Sequence, residues 1–363
     1  MINRHLVIYN LETNLDSQVL ASAHDWIQEF SRRYSRVYVF TTHVGRLNLP
    51  DNVFVVETGG GSLTKRFLAL YRLMKSILTI YQDRKKTDVF HHMSSKTLLL
   101  LGAPIKIMGV PQVIWYSHSV ADLSLRLGAR FAGLVVSATK LSVPSLPGIE
   151  ARPLGHGISL SRLGIDSRLH DQKRKGILSV GRVVSIKRIE EAIYAIAELK
   201  SMDPVRIYEL TLVGPYDEHS DYTKFLIQEG SAHNVQINLT GAISYENIPA
   251  LFRKASIVFT GTPKSADKAA LEAAMLGCLI LTTNKSVQEL TGMSKVLPNK
   301  ESASNLCTQL AWMMSLSESE QLSIRKEVIT VSRNLNSLEN LVSRLIDCFD
   351  ELRARSSQKF FSN

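Results

Sequence analysis

The sequence predicts two α/β domains in tandem, each built on a doubly wound, mostly parallel sheet. Short apolar runs of strand length alternate with longer segments of helical period through most of the chain. Its 363 residues exceed one ordinary core and suit two. Finally, a polar stretch over 161–175, with Arg162, Arg168, Lys173, Arg174 and Lys175, separates two such series. We therefore expect a first domain over 1–160, a linker over 161–175 and a second domain over 176–335. A last helix over 336–363 is expected to return towards the first domain.

In the first series, 5–10 reads as a buried strand, 17–33 as a helix, and 36–41 and 53–57 as strands. A helix follows over 63–82, then strands ending near His91 and spanning 112–117, 134–138 and 151–154. The second series has strands at 177–180, 206–213, 235–239, 256–259 and 278–283, with helices at 189–199, 222–229, 247–254 and 268–276 between them. After about residue 302 the pattern is helical only. Parallel strands covered by helices on both faces follow from such alternation. Ligands of such sheets bind outside the carboxyl ends of the strands, so a two-substrate enzyme is favoured.

Composition excludes several classes. Hydrophobic residues make up 45% and charged residues 21%, near globular averages, so the chain is not disordered. The most apolar region, 97–116, is interrupted by Pro104, Lys106 and Pro111, too short for a membrane span. Residues 1–10 carry Arg4 and His5 before a short apolar run, so no signal peptide is expected. Cys278, Cys307 and Cys348 are sparse and match no metal-ligand spacing, which suits a reducing, cytoplasmic setting. Charge is lopsided: residues 1–165 hold 19 Lys/Arg against 10 Asp/Glu, the remainder 24 against 23. The first domain should therefore face an anionic partner. Nucleic acid is disfavoured, because no aromatic residues interleave with the basic stretch as base stacking would require.

Two stretches carry chemistry. In GILSVGRVVSIKR (176–188) a buried strand runs into Gly181, and Arg182 and Lys187 follow on the loop. Two cations beside a helix N-terminus would neutralise a diphosphate as it leaves. In FTGTPKSADKAALEAAMLGCLILTT (259–283) Asp267 is placed to cap a helix, Glu272 lies one turn into it, and Gly277 is placed to stop it. There a carboxylate can hold a ribose hydroxyl.

The order of these stretches resembles the carboxyl-terminal half of the family-4 retaining GT-B glycosyltransferases, the glycosyl transferases group 1. The intervening ELTLVGP (209–215) and VQINLTGAISYENIPALFRKASIVF (235–259) are similar to that family too, as is LGHGISL (154–160) to its hinge strand. VIWYSHS (113–119) looks like the strand and loop that present a donor-contacting histidine. The resemblance covers nearly the whole chain, most strongly 176–290. It implies the GT-B fold of two Rossmann-like domains facing a central crevice, and a hexosyltransferase-type activity independent of metal. Arg182 and Lys187 would hold the diphosphate of a nucleoside-diphosphate sugar, Glu272 its ribose, and His118 the transferring sugar. Gly181, Gly214, Ser265, Asp267 and Lys268 would complete the donor site. No cofactor beyond the sugar nucleotide is implied; the acceptor would be a glycan or lipid-linked hydroxyl.

Two departures stand out. The family usually carries a glutamate eight residues before the position of Glu272; here it is Lys264, and the loop resembles a branch with an Asp-Lys pair, Asp267–Lys268, ahead of the helix. The glycine-rich first loop is also missing, so Asn14, Asp16 and Ser17 would shape the acceptor side. HHMSSKT (91–97) follows a strand and is expected to line the crevice through His92. Its two adjacent histidines point to opposite faces and make a poor metal site. Residues 65–86 read as a basic amphipathic helix, with Arg72, Lys75, Thr79, Gln82 and Lys86 opposite Leu70, Leu73, Ile77 and Ile80. Such a helix either packs its apolar stripe on its own domain or, with Lys65 and its neighbours, lies on an anionic membrane surface. The rival readings are a catalytically silent GT-B subunit, favoured by Lys264, and a GT-B sugar-nucleotide epimerase, for which no secure acidic pair is present.

Overall fold

The computed structural model describes all residues except 18–20, 60–61, 119, 143–145, 150, 165–173, 204–207, 264–265 and 362–363. The chain forms two units, Met1–Ser159 with Leu338–Asn363, and Leu160–Ser337.

The first unit is organised by strands that are apolar on both faces. β1 (Ile2–Thr13) is buried throughout Leu6–Asn10, as a central parallel strand must be. It extends beyond the apolar run in the sequence at both ends, from Ile2 to Thr13. The helix α1 (Ala21–Arg33) follows, then β2 (Tyr34–Val44), β3 (Val53–Glu57) and α2 (Leu63–Gln82). Next come β4 (Thr87–His92), α3 (Ser95–Ile107), β5 (Gln112–Trp115), α4 (Leu123–Gly128), β6 (Leu134–Ser137) and β7 (Ala151–Pro153). The sheet is parallel in the order β3-β2-β1-β4-β5-β6-β7. Alternation along β4 sorts the helices onto two faces. Val89 packs with Val7, Ile80, Leu101 and Ile105 beneath α2 and α3, while Phe90 stacks on Trp26 and meets Phe30 of α1 at a tilt. The α3–α4 layer continues over β5 and β6 through Leu98, Ile114, Leu125 and Val135.

The second unit repeats the plan. β8 (Lys175–Val180), α5 (Glu190–Met202), β9 (Glu209–Val213), α6 (Asp221–Ala232), β10 (Gln236–Gly241), α7 (Ile248–Lys254), β11 (Ala255–Phe259), α8 (Lys268–Met275) and β12 (Leu279–Leu281) alternate. The parallel order is β10-β9-β8-β11-β12. Five helices follow: α9 (Lys285–Thr291), α10 (Met293–Val296), α11 (Lys300–Ser304), α12 (Leu306–Ser315) and α13 (Glu318–Asn336). The last of these starts from a full capping box at Ser317 and Glu320.

The stretch expected as a polar linker is partly structural. Leu163 is buried and Arg253 donates to the carbonyls of Leu163 and Gly164, which ties these residues into the second unit. Arg174 donates to the carbonyls of Phe252 and Leu276 at 2.9 and 2.7 Å. Its guanidinium thus satisfies carbonyls at the ends of α7 and α8 that have no helical partner. Lys175 already belongs to β8. Arg168 and Lys173 lie outside the described residues.

The last helix, α14 (Leu338–Phe361), belongs to the first unit. It buries Leu341, Val342, Leu345, Cys348 and Phe349. Its Arg353 reaches the buried Asp88 at 2.5 Å, which also pairs with Arg4 at 3.2 Å. Burial raises the Asp88 pKa above the ordinary carboxylate value, and the two arginines oppose that rise.

Candidate nucleotide-sugar site

In each sheet the strand order reverses direction beside the first strand, and the loops leaving the carboxyl ends at that point are free to shape a site. In the second unit these are the loops after β8 and β11, which carry most of the residues the sequence singled out.

Gly181 follows β8 with φ +129°, and its N–H donates to Val213. Gly214 follows β9 with φ +144°, and a Cβ there would lie 2.2 Å from the Gly181 carbonyl oxygen. Only two glycines allow these loop starts to touch in these conformations. A Cβ on Gly181 would in turn meet Lys187 Cε and Nζ at 3.2 Å, so the lysine side chain crosses directly over it. On the far side Gly261 abuts the loop: its Cβ would come 2.7 Å from the Lys187 carbonyl. A single turn of 3₁₀ helix, Ser185–Lys187, and left-handed Arg188 (φ 47°) close the segment.

Lys187 Nζ donates to Asp267 Oδ2 at 2.6 Å. The same oxygen accepts from Thr260 at 2.7 Å and Thr262 at 3.2 Å, while Oδ1 caps α8 through the Ala269 N–H. Burial pushes the Asp267 pKa up, but the Lys187 charge and these hydrogen bonds more than offset it, leaving it below its ordinary value. Asp267 is therefore ionised and fully engaged. Expected in the donor site, it holds the Lys187 ammonium in place. Arg182, by contrast, is exposed and has no ion pair among the described residues.

Glu272, 3% exposed, sits in α8, and its Oε1 accepts from Tyr245 Oη at 2.5 Å. Lys268 Nζ is 3.5 Å from the same oxygen. Burial raises the Glu272 pKa, against the pull of Lys268 and Tyr245. The Arg162 guanidinium and the Lys268 ammonium both approach the Tyr245 ring, at 5.6 and 5.5 Å from its centroid. Arg162 and Tyr245 were not among the candidates from sequence. Tyr245 opens a turn of 3₁₀ helix 27 residues before Glu272, and no local periodicity links them. Ser265 and Lys264 lie outside the described residues.

The first-unit candidates divide differently. His118 lies beyond the end of β5, exposed, and its Nδ1 accepts from the Val120 N–H at 3.2 Å. Asn14, Asp16 and Ser17 gather in the loop after β1. Ser17 donates to Glu12 at 2.9 Å, Asn14 Oδ1 accepts from the N–H groups of Asp16 and Arg46, and Asp16 pairs with Arg46. Ser17 is thus loop rather than the first residue of a helix, because Glu12 holds its hydroxyl. His92 does not stand free: its ring stacks on Trp26 at 4.5 Å, and burial pushes its pKa down to about 4. His91 points to the opposite face, stacked on Tyr9 and bonded to Thr97. No group of three or more His, Cys, Asp or Glu among the described residues could hold a metal ion. None of the described helices is long and apolar enough to cross a membrane.

Residues 165–334, nearly all of the second unit, match the family described as Glycosyl transferases group 1. No curated protein matches the chain. Among solved structures, Anabaena Alr3699/HepE in complex with UDP superposes with a TM-score of 0.65 at 14% identity, covering 96% of this chain and 100% of that one. A glycosyltransferase from Rickettsia africae ESF-5 gives 0.66 at 11% identity, covering 97% and 99%. An α,α-trehalose 6-phosphate synthase from Burkholderia multivorans gives 0.63 at 13% identity, covering 99% and 98%. At these identities the likeness is one of fold, and the fold is GT-B-like: two parallel α/β units of seven and five strands.

Proposed function

We propose that the chain is a retaining glycosyltransferase that moves a hexosyl unit from a nucleoside-diphosphate sugar to a hydroxyl of a glycan or lipid-linked acceptor. The observation that carries this reading is the Lys187–Asp267 pair, with Arg182 on the same loop as Lys187 and Glu272 on the helix that Asp267 caps, where the loops after β8 and β11 leave the sheet of the unit that matches the group 1 glycosyl transferases.

In this reading Arg182 supplies a charge that no ion pair among the described residues compensates, and Lys187 a second one held in position by Asp267. Together they stabilise the diphosphate as the sugar C–O bond breaks, worth most in the transition state, where that charge develops. These side-chain cations do the work that a bound divalent ion does elsewhere, so we propose that transfer is independent of metal. The departing diphosphate, held beside the incoming hydroxyl, takes up its proton. Glu272, freed from Tyr245, accepts a ribose hydroxyl, while Lys268 and Arg162 add positive charge near the nucleotide. His118 contacts the transferring sugar, and the Asn14–Asp16–Ser17 loop shapes the acceptor side. Uridine diphosphate sugars are the first donors to try, since Anabaena HepE is described in complex with UDP and with UDP-glucose. The three cysteines are free and buried, which supports a cytoplasmic setting.

The test is a thermal-shift panel of nucleoside-diphosphate sugars, followed by product analysis with the donor that raises the melting temperature. One sugar nucleotide should raise it, and the product should keep the donor's anomeric configuration. Wild-type turnover in both Arg182→Ala and Glu272→Ala would overturn the site. A panel in which no sugar nucleotide shifts the melting curve would overturn the activity.

A further inference from the structure

The helix α2 has two apolar faces, and only one of them is used. Leu73, Ile77 and Ile80 pack onto Val7, Tyr9 and Val89 of the sheet. Leu70, expected to share that stripe, is exposed. A second stripe, Phe67, Tyr71, Met74, Leu78 and Tyr81, recurs at i, i+4, i+7, i+11 and i+14 and faces outward. Phe67 is 73% exposed, Tyr71 63% and Leu78 61%. Single exposed apolar residues are ordinary, but a continuous stripe of five over four turns marks a surface with a partner.

Charge decides which partner. There is no acidic residue in α2 at all, while Lys65, Arg66 and Lys75 stand exposed around the stripe. The layer continues in kind: α4, on the same face of the sheet, exposes Leu123 and Leu127 beside Arg126. Across residues 62–142 there are 12 Lys/Arg and three Asp. Asp88 is buried between Arg4 and Arg353, and Asp122, though exposed, is engaged as the cap of α4 and by Ser95, so two exposed carboxylates, Asp83 and Asp122, stand against the basic residues. A second copy of this chain laid on the stripe would oppose lysine and arginine with their own kind and no acid in α2 to answer them. An anionic surface with an apolar interior answers both features. Aromatic and aliphatic side chains enter its acyl boundary while the long cations flanking them reach the headgroups.

We infer that the outer face of the α2–α4 layer docks the first unit onto an anionic lipid bilayer. This surface is formed by residues other than those of the donor site, so it stands whether or not the transfer reading holds.

The experiment is co-sedimentation of the full chain with vesicles of phosphatidylcholine and phosphatidylglycerol in equal proportion, against vesicles of phosphatidylcholine alone. The wild type should sediment with the anionic vesicles, far less with the neutral ones, and be released in part as salt rises. Two triple variants, Phe67→Ser/Tyr71→Ser/Leu78→Ser and Lys65→Glu/Arg66→Glu/Lys75→Glu, should each lower partitioning by about tenfold or more with an unchanged melting temperature. If one of them fails to fold, the other decides. Equal partitioning to both vesicle types, no sedimentation with either, or wild-type partitioning in the folded variants would overturn the inference. So would light scattering that shows a dimer dissolved by the Phe67 variant, which would assign the stripe to a second copy.

Discussion

Lys187 and Arg182 would act on the same leaving group, yet the protein prepares them differently. Lys187 reaches across Gly181 to a carboxylate that is itself fixed by Thr260, Thr262 and the α8 N-terminus. Its position is set before any ligand arrives. Arg182 is exposed and has no ion pair among the described residues. Arg182→Ala should therefore leave the melting temperature unchanged and lower kcat by about 10²–10³-fold, the scale of losing one transition-state donor; steady-state kinetics beside a melting curve checks both halves. Asp267→Asn should behave otherwise. The folded-state pKa of Asp267 lies below its ordinary value, so its ionised form contributes stability that is complete at neutral pH and lost as pH falls through that folded value. The variant should melt lower than wild type at neutral pH, with the gap closing on acidification. Glu272 has the opposite sign. Burial raises its pKa, so the ionised carboxylate costs stability at neutral pH, and that cost disappears once the group is protonated below the ordinary glutamate range. Glu272→Gln keeps an acceptor for Tyr245 and should melt higher than wild type at pH 7 while losing donor binding; a melting series from neutral to acid pH, where the gain should vanish, checks the sign. Stability given up at one buried carboxylate is a common mark of a functional site.

At the scale of elements, the site depends on loops being able to touch. Gly214 is the narrowest point, with a left-handed backbone and a neighbouring carbonyl where its Cβ would be. Gly214→Ala should destabilise the protein by about 1–3 kcal/mol and weaken donor binding together, because the shift needed to admit the methyl moves Gly181 and the lysine lying over it. Melting and nucleotide titration on one sample would separate this from a purely structural effect, in which affinity would not change. The alternation of strand and helix was legible from sequence because parallel strands buried on both faces read as short apolar runs. Val113, Ile114 and Trp115 in β5 are such a run. The capping role of Asp267 was legible for a similar reason: it is a local signal. Its pairing with Lys187 was not, since 80 residues separate them and only the sheet order brings their loops together. Tyr245 and Arg162 escaped for the same reason. The two faces of α2 were half legible. Helical spacing finds the inward stripe of Leu73, Ile77 and Ile80 but not the outward one, because which side chains pack inward depends on Val7, Tyr9 and Val89, which lie in other elements.

For the molecule as a whole, the two units do not divide the sequence at one point. The first is completed by α14, the last helix, which fills its core with Leu341, Val342, Leu345 and Phe349 and delivers Arg353 to the buried Asp88. The second unit is continuous, and it holds the candidate donor site and the whole family match. A change in α14 should therefore harm the unit that is distant in sequence and spare the donor residues. Phe349 is fully buried, so Phe349→Ala removes a large side chain from a packed core, at a cost of about 3–5 kcal/mol. Limited proteolysis and melting should show the loss within Met1–Ser159, while a nucleotide that binds the wild type still protects the segment from Leu160 to Ser337 in the variant. Equal loss of protection in both segments would mean that the second unit relies on the first for its own fold, and that the donor site cannot be treated as the property of one unit.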